Sequence, residues 1–86
     1  MTDPDAEIDP TGPVPPYRQL AAILQARIAR GDWAPDQPIP SYKRLQQTYG
    51  VAHTTIQRTI DLLVAEGVVY VVPRRGVYVA RNDEGP

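Results

Sequence analysis

The sequence predicts an α+β fold, three helices followed by a two-stranded β hairpin, and three observations carry that reading. Apolar residues recur at helical spacing before Gly31 and again before Gly67. Between those segments, Ser41, a short polar-apolar run and Gly50-Val51 have the spacing of two helices joined by a tight turn. After Gly67 the pattern changes to β-branched and aromatic residues on both sides of Pro73-Arg74-Arg75-Gly76.

The elements follow in order. Residues 1–16 hold five of the ten prolines and the acids Asp3, Asp5, Glu7 and Asp9, with almost no large apolar side chain. Such a composition does not offset the entropy of ordering, so a disordered acidic, proline-rich arm is expected there. From Tyr17, the residues Leu20, Ala21, Leu24 and Ile28 stand at offsets 3, 4, 7 and 11 and form one helical stripe, ended near Gly31. Asp32 to Pro40 contains three prolines and no helical period; it reads as a connector anchored by Trp33 and Ile39, and any strand in it is short. Ser41 is placed to cap a second helix of about Tyr42 to Tyr49.

Gly50 permits the positive φ of a turn, and a third helix starts near Ala52. Its buried stripe is expected to be Ile56, Ile60, Leu63 and Val64, with His53, Thr54, Gln57, Arg58 and Asp61 on the opposite face. Val68 to Val72 and Val77 to Val79 then form a hairpin with a basic tip. This is the plan of a winged helix-turn-helix over 17–81, with the hairpin as the wing and 82–86 as a disordered tail.

A chain of 86 residues with no internal repeat has room for one core, of a size that buries about 60% of its unfolded surface. With no cysteine and a single histidine, His53, disulfides, thiolate chemistry and multi-histidine metal sites are excluded, and no metal or other cofactor is expected. No apolar run is long enough to span a bilayer, so the expected location is cytoplasmic, at the nucleoid. No catalytic constellation is present: there is no Gly-rich phosphate loop and no acid pair placed in an expected cleft. The formal net charge of -1 conceals a segregation. Between Tyr17 and Arg81 all nine basic residues face only Asp32, Asp36, Asp61 and Glu66, an excess of five positive charges; the remaining acids lie in the two ends.

The stretch from Tyr17 to Ala80 resembles the N-terminal DNA-binding domain of the GntR family of bacterial transcriptional regulators. The resemblance rests on a series in order: Tyr17, Ile28 and Gly31, Ile39-Pro40-Ser41, Leu45, Gly50-Val51, Thr55-Ile56, Leu63, Glu66-Gly67 and Gly76-Val77-Tyr78-Val79. The departures fall where the family meets DNA. Asp36 stands for the family's usual glycine, Tyr42 for an acid, Arg44 for a glutamate and Ala52-His53 for a serine-arginine pair. Gln57 takes the place of an arginine, which reappears one residue later as Arg58. The family's C-terminal effector and dimer domain has no counterpart here, so the resemblance implies a short form with no small-molecule effector site in this chain.

A helix fits the major groove, where base edges are discriminated by side-chain donors and acceptors. On the third helix, Gln57 can pair with adenine, Arg58 can fork onto guanine and the Thr54 methyl can touch thymine, while His53 is placed to meet a base or a phosphate. The bland reading of the same residues is the solvated side of an amphipathic helix. Ser41, Lys43, Arg44 and Thr55 are placed to hold the DNA backbone, and Arg74, Arg75 and Gly76 at the wing tip to reach an adjoining minor groove. Tyr17 and the other aromatic residues read as packing. The resulting expectation is a bacterial, sequence-specific double-stranded DNA-binding regulator, a repressor, acting as a homodimer or as a pair that forms cooperatively on DNA. The rival reading is a winged helix used for protein-protein interaction.

Overall fold

The computed structural model describes residues 2–81; Met1 and 82–86, where the sequence places a tail carrying Asp83 and Glu84, lie outside the described residues. Three helices, α1 (Pro16–Arg30), α2 (Tyr42–Tyr49) and α3 (His53–Ala65), precede strands β1 (Val69–Val72) and β2 (Gly76–Val79). The α+β winged plan is therefore realised, and α3 is its hub, packed against α1, α2 and β1.

Pro16 occupies the first turn of α1, where its missing N–H removes no helical bond and its fixed φ suits the start. Leu20, Ala21 and Leu24 are buried in the central core as the stripe requires. Ile23 is also buried, at 1% exposure, yet it is absent from that core. Its flank of α1 is lined by Thr2, Ala6, Glu7 and Val14, so residues 2–15 cover a side of the helix that the stripe does not use. The same segment is tied to α1 through Gln19, which accepts from the Asp9 amide at 2.7 Å and donates to the Asp9 and Val14 carbonyls at 2.8 and 2.6 Å.

Ser41 caps α2 by accepting the Arg44 amide at 3.2 Å, and Leu45 is the one residue that α2 buries. Gly50 ends the helix at φ 66°, a conformation that costs a side-chain-bearing residue about 1 to 2 kcal/mol, and this is what turns the chain sharply into α3.

The buried face of α3 corrects one expectation. Ile56, Ile60 and Leu63 are fully enclosed, but Val64 is 41% exposed and Thr59 takes its place at 0%. At about 100° per residue, Val64 lies about 80° to one side of Ile56, and Thr59 about 60° to the other, towards α1. Thr59 tolerates burial because its hydroxyl lies 2.8 Å from the Thr55 carbonyl and 3.2 Å from that of Tyr17.

In the antiparallel hairpin Val69 faces Val79 and Tyr70 faces Tyr78, so the two valines point into the core and the two tyrosines stack outside it, centroids 5.8 Å apart. The connector contributes a short third edge: Ile39 donates to the Val77 carbonyl and Val79 to that of Gln37, both at 2.9 Å, around a bridge between Pro38 and Tyr78. Val71 pairs with buried Val77 but is 52% exposed, which marks where the core ends and the wing projects.

Candidate nucleic-acid interface

The outer face of α3 begins with His53 and Thr54 and continues through Gln57, Arg58 and Asp61, all exposed. None of these five side chains is drawn into the core, because the residues between them bury the helix against α1, α2 and β1. The His53 ring lies 5.5 Å from the half-buried Tyr42 ring, which joins the first turns of α2 and α3. Burial, and secondarily the Asp61 carboxylate, push the Tyr42 phenol up, so it stays a protonated donor at neutral pH.

Pairing of charge divides the basic residues into two groups. Arg27 and Arg30 share Asp32 at 2.8 and 2.9 Å, Arg30 also reaches Asp5 at 3.2 Å, and Arg81 meets Asp36 at 3.1 Å. Arg27 further stacks its guanidinium 4.5 Å above the Trp33 ring and donates to the Tyr49 hydroxyl at 3.0 Å. Those cations are neutralised where the connector leaves α1 and where β2 ends. Arg18, Lys43, Arg44, Arg58, Arg74 and Arg75 have no carboxylate partner among the described residues. They stand on the first turns of α1 and α2, on α3 and at the wing tip. A group of exposed cations left unneutralised on the elements around a free helix face is the electrostatic footprint of a polyanion site.

Ser41 uses its oxygen as an acceptor in the α2 cap, and its hydroxyl proton remains available to a phosphate. Thr55 is half-buried in the first turn of α3, beside the exposed Thr54. At the wing tip the Arg75 amide donates to the Val72 carbonyl at 2.9 Å, with Pro73 and Arg74 as the central turn residues. Arg74 has φ 68°, a position that favours glycine, and Gly76 follows at φ 130°, which only glycine adopts at low cost. The turn thus presents Arg74 and Arg75 side by side, both exposed. The base of the wing is pinned from the connector: Asp36, at φ 66°, accepts from the Tyr70 hydroxyl at 2.9 Å and from Arg81 at 3.1 Å.

Arg58 does not share the free position of Gln57. Its guanidinium lies over the Tyr17 ring, 5.0 Å from the centroid, while Arg18 donates to the Tyr17 hydroxyl at 3.3 Å. One residue along a helix turns the side chain by about 100°, and from position 58 that rotation leads towards the start of α1. From the sequence Tyr17 reads as packing, and Arg18 carries no assigned role. The signal was the Tyr17-Arg18 pair itself, but only the α1–α3 contact brings Arg58 to it. Among the described residues, no three His, Asp or Glu side chains gather as metal ligands, and no helix is long and apolar enough to cross a membrane.

Residues 16–79 match the family model described as bacterial regulatory proteins, gntR family. The chain is similar to the HTH-type transcriptional repressor NagR of Bacillus subtilis (strain 168), 31% identical over 74 residues, which is 86% of this chain and 30% of that protein. Among solved structures it resembles the AraR DNA-binding domain in complex with operator ORR3, with TM-score 0.75 and 35% identity over 86% of this chain and 96% of that one. It also resembles YtrA of Sulfolobus acidocaldarius, a GntR-family transcription factor, with TM-score 0.78 and 32% identity, covering 88% and 80% of the two chains. The chain thus spans under a third of the length of the NagR repressor and nearly all of a domain solved on its operator.

Proposed function

Because the chain belongs to the gntR family of bacterial regulatory proteins, we propose that it is a sequence-specific, double-stranded DNA-binding module of a transcriptional repressor. The observation that carries this reading is the division of its cations: those beside the connector and at the end of β2 are neutralised, and those around the free face of α3 are not. DNA is a polyanion that releases counterions when such cations replace them, so the unpaired set supplies affinity without reading sequence. The AraR domain of similar fold, solved with operator DNA, supports the same docking.

In this reading α3 lies in the major groove with Thr54 and Gln57 towards base edges and His53 at the helix start beside them. A bidentate amide contact of the Gln57 kind is worth about 1 to 3 kcal/mol of discrimination. Ser41, Lys43, Arg44 and Thr55 set the register on phosphates, and Arg74 and Arg75, displayed by the turn that Gly76 closes, reach the neighbouring minor groove. One module buries about 600 to 1,000 Å² of its own surface on DNA, too little for high specificity, so two copies act together on a two-fold site.

The test is selection of fragmented genomic DNA at physiological salt, with Gln57→Ala beside the parent. Enrichment of one motif by the parent, changed at a base position in the variant, supports the reading. Binding with no dependence on salt, or no enrichment at any salt, overturns it in favour of a winged helix that docks on protein.

A further inference from the structure

We infer that Tyr17, Arg18 and Arg58 form a phosphate cradle joining the first turn of α1 to α3, and that Arg58 therefore grips the DNA backbone instead of reading a base. The inference rests on the proposed DNA binding and assigns one part of it.

Three observations converge. The Arg58 guanidinium sits 5.0 Å from the Tyr17 ring centroid, and Arg18 lies at the hydroxyl edge of the same ring, 5.8 Å from its centroid. Neither arginine has a carboxylate partner among the described residues, so two like charges are held around one ring with nothing to neutralise them. The Tyr17 hydroxyl already accepts from Arg18 Nε, which leaves its own proton directed elsewhere. Every polar hydrogen remaining in the cluster is a donor, and two donors carry charge. An acceptor-only anion satisfies such a set, and a DNA phosphodiester is one.

The cradle is also held in place. Thr59, fully buried and one residue beyond Arg58, lies with its hydroxyl 3.2 Å from the Tyr17 carbonyl, which fixes the start of α1 against α3. The ring in turn takes up one face of the guanidinium by cation–π attraction and limits how far Arg58 can swing away from the start of α1. A phosphate held across α1 and α3 adds affinity on any sequence and leaves base reading to the neighbouring side chains of α3.

The experiment measures affinity against salt for the parent, Arg58→Ala, Arg18→Ala, Tyr17→Phe and Gln57→Ala, on the motif-bearing duplex and on a random-sequence duplex. Expected for Arg58→Ala and Arg18→Ala is an equal loss on both duplexes, a salt slope shallower by about 0.9 in each, and an unchanged motif. Tyr17→Phe keeps the ring and the fold, and weakens both duplexes without changing the slope. A single neutral methylphosphonate linkage walked along the duplex then finds one phosphate whose loss costs the parent affinity but costs Arg58→Ala nothing further. An altered base preference in Arg58→Ala with the parental slope, or no linkage coupled to Arg58, overturns the cradle while leaving DNA binding intact. A parent whose affinity ignores salt overturns the wider reading as well.

Discussion

The hydroxyl of Thr59 lies 3.2 Å from the carbonyl oxygen of Tyr17, 42 residues away, and it belongs to the only fully buried polar side chain among the described residues. The hydroxyl has one proton to share between the local Thr55 carbonyl, at 2.8 Å, and the Tyr17 carbonyl, and the second contact is the one that ties α1 to α3. Thr59→Val keeps the volume and removes the tether. Urea unfolding is expected to show a loss of about 1 kcal/mol, the net worth of one hydrogen bond, at unchanged m-value.

Asp36 occupies a left-handed position, φ 66°, and its carboxylate bridges Tyr70 and Arg81. Asp36→Gly relieves the backbone as it loses the bridge, whereas Asp36→Ala loses the bridge and keeps the strain. Thermal melts are expected to rank Ala below Gly, by about 1 kcal/mol. A reversed order would mean that the greater unfolded-state freedom of glycine outweighs the backbone relief at this position.

The same bridge sets the titration of Tyr70. Its hydrogen bond to Asp36, above all, pushes the phenol above the ordinary tyrosine range. The proton is bound more tightly in the folded state, so the contribution to stability is present below pH of about 10 and is lost as pH rises through the higher folded value. Tyrosinate absorbance, compared between the parent and Tyr70→Phe, is expected to lose one of two late-titrating phenols in the variant, the other being Tyr42. Asp36→Asn should bring the Tyr70 step back towards the ordinary range.

At acid pH the relevant group is Asp32, held well below the usual carboxylate range by hydrogen bonds from Arg30 and then Arg27. Its folded value is depressed, so its contribution is present above pH of about 4 and is lost as pH falls further. Asp32→Asn is expected to lower the neutral region of a stability-pH profile modestly, the effect being reduced by solvent screening, and to converge on the parent's profile as pH falls through the acid range, so that its acid limb is flatter.

Arg74 at φ 68° separates charge from backbone at the wing tip. Arg74→Ala and Arg74→Gly both remove the guanidinium and should weaken DNA by similar factors, with the salt slope shallower by about one unit each. Only the glycine variant also relieves the turn, so its melting temperature should equal or exceed that of the alanine variant. Unequal DNA losses that follow melting temperature would assign the effect to wing structure.

Much of this molecule is legible from local chemistry. The second helix, Tyr42 to Tyr49, is set by the Ser41 cap and Gly50, and the hairpin by valines and tyrosines around Pro73 to Gly76, because capping, turn geometry and β preference act within a few residues. Helical period likewise places Ile56, Ile60 and Leu63 inward and Gln57 outward. Periodicity did not decide between Thr59 and Val64. The Thr55 carbonyl one turn back satisfies the Thr59 hydroxyl locally, so either side could be buried, and the packing of α1 on α3, which brings the Tyr17 carbonyl alongside, selects the Thr59 side. The same limit applies to charge. The sequence by itself determined how many cations the folded part carries and set Asp32 two and five residues from Arg30 and Arg27, but only the tertiary structure brought Asp36 to Arg81, 45 residues away, and Arg58 to an aromatic ring. Coulomb and cation–π interactions depend on distance in space, and for Arg58 and Tyr17 that distance is set by two helices packing, not by their separation along the chain.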